Sequence, residues 1–263
     1  MEEYKKYRIQ KNIKGLDVSV DDFVVVEYSM SIYINDHYFV TLLCTPKSLE
    51  ALVIGYLQSE GIIEQIEDIR NIQIRPEIGK AWVYLKTQDI FDFKGDQLVL
   101  ERVITTACGK GRTVSFPMVD KKIRINSPLS IDNDKVIRLM QMFSKQSNLF
   151  QRTGGVHSCA LCTYNQLAYF EEDIGRHNAL EKVLGRGLMN HEDFLDKIIL
   201  TTGRMTSEII NKVALRGISM VVSRSAPTDQ AIDMARRMNM ILIGFVRGTR
   251  MNIYTRNKII KKD

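Results

Sequence analysis

Lys197-Ile198-Ile199-Leu200-Thr201-Thr202, Ser219-Met220-Val221-Val222-Ser223 and Ile241-Leu242-Ile243-Gly244-Phe245-Val246 are three short apolar runs, with helical stretches at Ser207–Leu215 and Thr228–Met238 between them. Strands alternating with helices at this interval imply right-handed βαβ crossovers and a mostly parallel sheet covered on both faces. In such sheets, ligands bind beyond the carboxyl ends of the strands, where the loops lead into helices. Those loops read Thr201-Thr202-Gly203-Arg204, Ser223-Arg224-Ser225-Ala226-Pro227-Thr228 and Arg247-Gly248-Thr249-Arg250. In any single loop, the hydroxyls can simply cap helices and the arginines face water. Repeated at three strand ends, they suit an anion held by backbone N–H groups and guanidinium forks.

Upstream the rhythm is different. Residues 21–44 alternate between β-branched or aromatic and polar residues and break at Asn35-Asp36, which predicts a hairpin. Thr45-Pro46 then reads as a helix start, with Leu49, Leu52, Val53, Tyr56 and Leu57 at helical spacing before Gly61. Ile72-Gln73-Ile74 and Ala81–Leu85 add strands, and Ser130–Lys145 gives a capped helix with Val136, Leu139, Met140 and Phe143 on one face. The expected organisation is an N-terminal α+β unit over 1–125 and an α/β domain over 126–263.

Composition narrows the function. The 263 residues are 44% hydrophobic and 26% charged, values that exclude a disordered or fibrous chain. The polar, mixed-charge start and the lack of a signal-length apolar segment give an expected cytoplasmic location and no membrane partner. Four cysteines without a secretory signal are expected to be thiols. A net charge of +6, with Arg247, Arg250, Arg256, Lys258, Lys261 and Lys262 crowded near the end, points to a phosphate-bearing partner. No DNA or RNA module is visible, and no nucleic-acid partner is expected.

One thiol stands apart. Cys108 lies in Thr105-Thr106-Ala107-Cys108-Gly109-Lys110-Gly111-Arg112, where Lys110 and Arg112 favour the thiolate and two glycines let a bulky donor or acceptor approach. The plainer alternative is an inert buried cysteine, against which the polar setting argues. Cys159-Ala160-Leu161-Cys162 after His157 has metal-like spacing, but no second pair completes a zinc site, and the zinc deaminase His-x-Glu pattern is missing. A buried pair or a spare thiol near Cys108 is the expectation there, and packing for Cys44. His157 and His177 can shuttle a proton, donate a hydrogen bond or merely order a turn. Asp173 with Arg176 is expected to be a structural ion pair.

Glu171-Glu172-Asp173-Ile174-Gly175-Arg176-His177-Asn178-Ala179 with Lys182 resembles the signature of the formate dehydrogenase accessory sulfurtransferases, the FdhD family. Thr153-Gly154-Gly155-Val156-His157, Thr45-Pro46, Glu60-Gly61, Thr202-Gly203-Arg204 with Ser207, Ser225-Ala226-Pro227-Thr228 and Gly244-Phe245-Val246-Arg247-Gly248 match the family pattern in order. The resemblance implies a cytidine deaminase-like three-layer α/β/α domain. It also implies a sulfur carrier that accepts sulfur from a cysteine desulfurase as a persulfide and passes it to the molybdenum or tungsten bis-guanine-dinucleotide cofactor of formate dehydrogenase. On that resemblance Cys108 is the catalytic residue. Phe245, Val246, Arg247, Gly248, Thr249 and Arg250, with Gly203, Arg204 and His177, are the expected cofactor-binding residues, and no metal ligands of the protein's own are expected. A homodimer is the default assembly.

Many members carry Cys-x-x-Cys in the loop, whereas this chain has Gly111 at the second position. A paired thiol would let a persulfide resolve as a disulfide. Here Cys108 acts alone, borrows a thiol from elsewhere in the fold, or marks a chain that only chaperones the cofactor. A nucleoside-modifying enzyme is the third reading, from the deaminase-like fold.

Overall fold

The computed structural model describes residues 1–87, 103–104, 125 and 132–256. Three sheets organise it. A two-stranded ribbon joins β1 (Tyr4–Ile13) to β2 (Leu16–Val25) through Lys14-Gly15, both at positive φ. A five-stranded sheet contains β3 (Tyr28–Ile34), β4 (His37–Cys44), β5 (Ile69–Arg75), β6 (Lys80–Leu85) and β7 (Val103–Ile104), in the order β5-β6-β3-β4-β7. Its core face packs on α1 (Leu49–Ser59) through Met30, Ile32, Leu42, Leu52 and Leu57.

The six-stranded sheet runs β13-β12-β11-β10-β8-β9, comprising β8 (His157–Cys162), β9 (Leu167–Asp173), β10 (Ile198–Thr201), β11 (Met220–Ser223), β12 (Ile241–Arg247) and β13 (Arg250–Thr255). Side chains alternate across a strand, and both faces are buried here. Leu161, Ile199, Val221 and Leu242 meet α4 (Arg176–Met189), α5 (Ser207–Ala214) and α6 (Asp229–Arg237). Ala160, Leu200, Val222 and Ile243 meet Val136, Leu139 and Phe143 of α2 (Asn133–Gln146), which α3 (Asn148–Thr153) follows. Helix, sheet and helices thus form three layers, which is why the strands read as continuous apolar runs rather than alternating ones.

Three expectations are corrected. The sheet is mixed rather than mostly parallel: among the described strands only the neighbours β10, β11 and β12 pair in parallel, while the β10–β8, β8–β9 and β12–β13 pairs are antiparallel. The turns β8–β9 and β12–β13 are too short for a crossover and can only reverse the chain. The alternation over 21–44 belongs to two hairpins, since Phe23 pairs with Lys6 in the ribbon and Ile32 pairs with Val40 across Asn35-Asp36. Finally, the N-cap position of α1 is Ser48, in left-handed backbone and without a side-chain cap bond, not Thr45. Thr45 is fully buried elsewhere.

α1 and α4 cross at backbone contact. A Cβ on Gly55 would lie 1.9 Å from the Glu181 carbonyl oxygen, and one on Gly185 1.9 Å from that of Ala51. Only glycine fits at either position, and this crossing docks the five-stranded sheet's helix onto the six-stranded sheet's helix.

Candidate functional site

The carboxyl ends of β10, β11 and β12 form a platform stitched together by short-range bonds. Arg224 N–H donates to Thr201 O, Phe245 N–H to Ser225 O, and Met205 N–H to Ala226 O. Ser223 Oγ donates to Gly203 O at 2.7 Å. α5 and α6 begin on this platform, sealed by Thr206 and Thr228, whose side chains accept from Ile209 and Ala231 N–H. β8 enters and β9 leaves at the same edge, because both run antiparallel to their neighbours, and His157 sits opposite Asp173. The N-terminus of α4 therefore opens onto the same platform.

That terminus differs from the other two. Its cap residue is Gly175, with no side-chain acceptor, and its first turn carries Arg176 and His177. Cations at a helix N-terminus oppose the macrodipole, where an anion would be favoured. Arg176 packs over Gly203, whose hypothetical Cβ would meet Arg176 Cβ at 2.9 Å. The Arg176 Nε is buried without a hydrogen-bond partner among the described residues. Burial first, then the nearby Arg204, holds the Arg176 guanidinium below its usual range. His157, whose Nδ1 lies 3.4 Å from Thr202 Oγ1, is depressed by burial and then by Arg176 and His177. His177 Nε2 lies 3.2 Å from Glu208 Oε2, a contact without hydrogen-bond geometry that is ionic only when the imidazole carries a proton. Burial opposes ionisation of Glu208, but His177 and Lys212 outweigh it and hold that carboxyl at about 2.

A cavity of about 520 Å³ lies over the platform, lined by His157, Thr202, Arg224, Ser225 and Arg247, with Gly154 and Gly155 forming part of its wall. Among the described residues, none of Arg176, Arg204, Arg224 and Arg247 forms an ion pair. Chemically the arrangement can bind a polyanion: guanidinium forks meet phosphate oxygens.

The expected binding residues are only partly gathered here. Arg247 lines this cavity. Thr249 and Arg250 instead line a hollow of about 530 Å³ against Asn133, Asp134 and Arg138 of α2. Val246 is buried in the core, while Phe245 is exposed at a β-bulge with φ 53°, a conformation rare outside glycine. Gly248, also at positive φ, turns the chain into β13. The Gly203 N–H is already taken by Thr201 Oγ1 at 3.0 Å, so it is not the free phosphate donor its position promised. Gly244 admits close approach instead, since a Cβ there would sit 2.8 Å from Ser225 O.

Beneath the platform the charges are paired. Lys182 Nζ lies 2.7 Å from Asp173 Oδ2, with both side chains wholly buried. Asp173 Oδ2 also accepts from Thr45 N–H and Oγ1, while its Oδ1 accepts from Gly175 N–H and Asn178 Nδ2. Lys182 donates on to Thr45 Oγ1. The expected Asp173–Arg176 pair is therefore replaced by Asp173–Lys182: a buried carboxylate takes the ammonium that reaches it from within α4, and Arg176 is left facing the platform. A second buried pair, Lys212–Glu181 at 2.5 Å, is extended by Ser59 Oγ donating to Glu181. Burial lowers the Lys212 pKa, but Glu181 and Glu208 reverse that and leave the ammonium raised. Thr45, Asp173 and Lys182 are all legible as motif residues, yet their pairing is not. The one signal for Lys182 was a charge amid Ala179, Leu180, Val183 and Leu184, on a face that ought to be apolar.

The three described cysteines are reduced and buried. Cys159 belongs to the core beneath α4 and Cys162 to the core beneath α2, so the two point to opposite faces and form no pair. Burial pushes both thiols up, and pushes Cys44 up to about 12. They remain protonated and unreactive at neutral pH. No group of His, Cys, Asp and Glu among the described residues could hold a metal ion. Cys108, with Gly109, Lys110, Gly111 and Arg112, lies outside the described residues, as do Lys258, Lys261 and Lys262. No described helix is long and apolar enough to cross a membrane.

Comparison with known proteins adds three findings. The sequence profile of the FdhD/NarQ family matches residues 25–261. Proteins named sulfur carrier protein FdhD are similar over nearly the whole chain. The one from Listeria innocua is 39% identical, covering 97% of this chain and 98% of its own, and the one from Bacillus subtilis is 40% identical, covering 92% of each. A crystal structure of a Desulfotalea psychrophila protein provisionally described as a formate dehydrogenase accessory protein superposes with a TM-score of 0.78, at 25% identity over 98% of both chains.

Proposed function

The chain belongs to the FdhD/NarQ family, and from that premise we propose that it is a sulfurtransferase in which Cys108 carries sulfur to a guanine-dinucleotide form of the molybdenum or tungsten cofactor. The observation that carries this reading is the pair Arg224 and Arg247, which line a cavity at the strand ends and form no ion pair among the described residues, in a chain whose relatives bear the name sulfur carrier protein.

In this reading the Cys108 thiolate attacks the terminal sulfur of a desulfurase persulfide. The donor's S–S bond breaks, the donor leaves as a thiolate, and Cys108 becomes the persulfide, with no net oxidation or reduction. Lys110 and Arg112 favour the attacking thiolate. The cofactor, as the substrate, sets its phosphates against Arg224 and Arg247, with Arg204, Arg176 and His177 supplying further positive potential. Gly203 lets Arg176 lie close to the platform. Phe245 and Gly248 shape the rim, and Thr249 and Arg250 extend the basic surface toward α2. Positioning two reactants on one rigid frame is the main catalytic effect available to such a transfer. The product is delivered to formate dehydrogenase, in the cytoplasm, by a homodimer. The layering of α2, sheet and α4–α6 supports a cytidine deaminase-like architecture for the larger unit.

A second reading, cofactor chaperone without chemistry, is favoured by Gly111 standing where a second cysteine occurs in many relatives. Cys108→Ala separates the two. Loss of formate dehydrogenase maturation in cells, with cofactor binding by the purified variant retained, is the expected result. Maturation at the wild-type level would leave the chaperone reading in its place.

A further inference from the structure

The ribbon β1–β2 has two unlike faces. Ten cross-strand pairs run from Tyr4↔Val25 to Ile13↔Leu16, and alternation sorts them into two sets. One set is polar and satisfies itself: Lys6–Asp21 at 2.7 Å, Arg8–Asp21 at 3.1 Å and Asn12–Asp17 at 2.7 Å. At its base this face turns apolar and docks on the body, where Tyr4 and Phe23 hold Arg152 and Val25 closes on Gly155. The other set places Val24, Tyr7, Ile9, Val20, Val18, Ile13 and Leu16 along one line, interrupted by Lys5, Lys11 and Asp22. Tyr7 is 51% exposed and Leu16 71%. Neither edge of the ribbon pairs with another strand among the described residues.

A lone two-stranded ribbon is marginally stable in water, and an unpaired apolar one invites association. Its place in the chain separates it from the chemistry. The family profile begins at residue 25, the last residue of the ribbon, whereas the Desulfotalea psychrophila structure covers 98% of this chain and so includes most of the ribbon. We propose that the apolar face of the ribbon is a dimerisation arm for a second copy of this chain, each arm lying across the body of the other copy.

Area decides that geometry. Ten residues at ~3.3 Å each and two strands at ~4.8 Å spacing give a face of roughly 320 Å². Two arms stacked only on each other would bury about 640 Å², below the ~1,200 Å² of a stable interface. Two arms exchanged onto two bodies bury roughly 1,300 Å², which reaches it. The two-fold relation makes the contact self-complementary and closed.

The inference rests on the homodimer put forward above, and sedimentation equilibrium on the full chain at micromolar concentration tests both parts separately. Wild type and the polar-face variant Gln10→Asp are expected at twice the chain mass. Ile13→Asp with Leu16→Asp is expected to be monomeric, with dimer affinity reduced at least 100-fold and an unchanged near-UV spectrum showing that the body is folded. Tyr7→Lys with Val18→Lys repeats the test at mid-ribbon, away from the turn. A monomeric wild type would overturn the homodimer and the arm together. A dimer indifferent to both double variants would overturn the arm alone.

Discussion

Two sets of charges lie within one helix of each other and behave oppositely. Inside, Asp173–Lys182 and Glu181–Lys212 are paired, hydrogen-bonded and sealed from water. At the platform above, Arg176, Arg204, Arg224 and Arg247 share the same sheet edge and form no ion pair among the described residues. α4 contributes to both, with Lys182 and Glu181 to the first and Arg176 to the second. Paired charges fix where α1, α4 and β9 meet; unpaired cations are held ready for a ligand's negative charge. Removing a member of the first set should therefore damage the fold. Removing one of the second should damage binding.

The largest expected effect is on the interior. Lys182→Ala strands Asp173 in a dry site, and the loss should be about 3–5 kcal/mol in urea unfolding. A loss under ~1 kcal/mol, the range of an exposed pair, would erase the contrast. Gly185→Leu forces a side chain against the α1 backbone and should cost about 1–3 kcal/mol by overpacking. An unchanged midpoint would mean that α1 and α4 do not cross as closely as described.

Arg247→Ala belongs to the other set. Its stability should stay within about 0.5 kcal/mol of wild type. Calorimetric affinity for GDP, as a probe of the phosphate site, should fall about tenfold, equal to ~1.4 kcal/mol. If stability falls and GDP affinity does not, Arg247 is structural.

The smallest effect is on His157. Burial, followed by Arg176 and His177, keeps its folded pKa below the ordinary imidazole value. The unfolded chain then binds the proton first, so His157 takes stability away as pH falls below ~6.5, until the folded histidine titrates as well. Inorganic pyrophosphate in the cavity would offset the neighbouring cations. NMR titration of the imidazole should then show its pKa raised by the anion. A pKa indifferent to pyrophosphate would place the anion elsewhere.

Much of this fold was legible because its central strands are buried on both faces and read as unbroken apolar runs between capped helices; Thr206, Thr228 and Gly217 mark the limits of α5 and α6. Strand direction at the flanks was not legible, since β8, β9 and β13 differ from parallel strands only in how short their connections are. The ribbon went unseen because Lys14-Gly15 is a weaker turn signal than Asn35-Asp36, and its alternation continues into β3. At the site, the three strand-end loops and Arg247 were readable from residue type and spacing. The Thr45–Asp173–Lys182 network was not: its members lie 128 and 137 residues apart, and only the fold brings them together.

Cys108 as the sulfur-carrying residue is tested most directly by mass spectrometry. After incubation of the reduced protein with a cysteine desulfurase and L-cysteine, tryptic peptides should show one added sulfur atom on Cys108, removable by dithiothreitol and absent without the desulfurase. Cys44, Cys159 and Cys162 should stay unmodified, as their buried, protonated thiols require. An adduct on any of those three, or none on Cys108, would contradict the account.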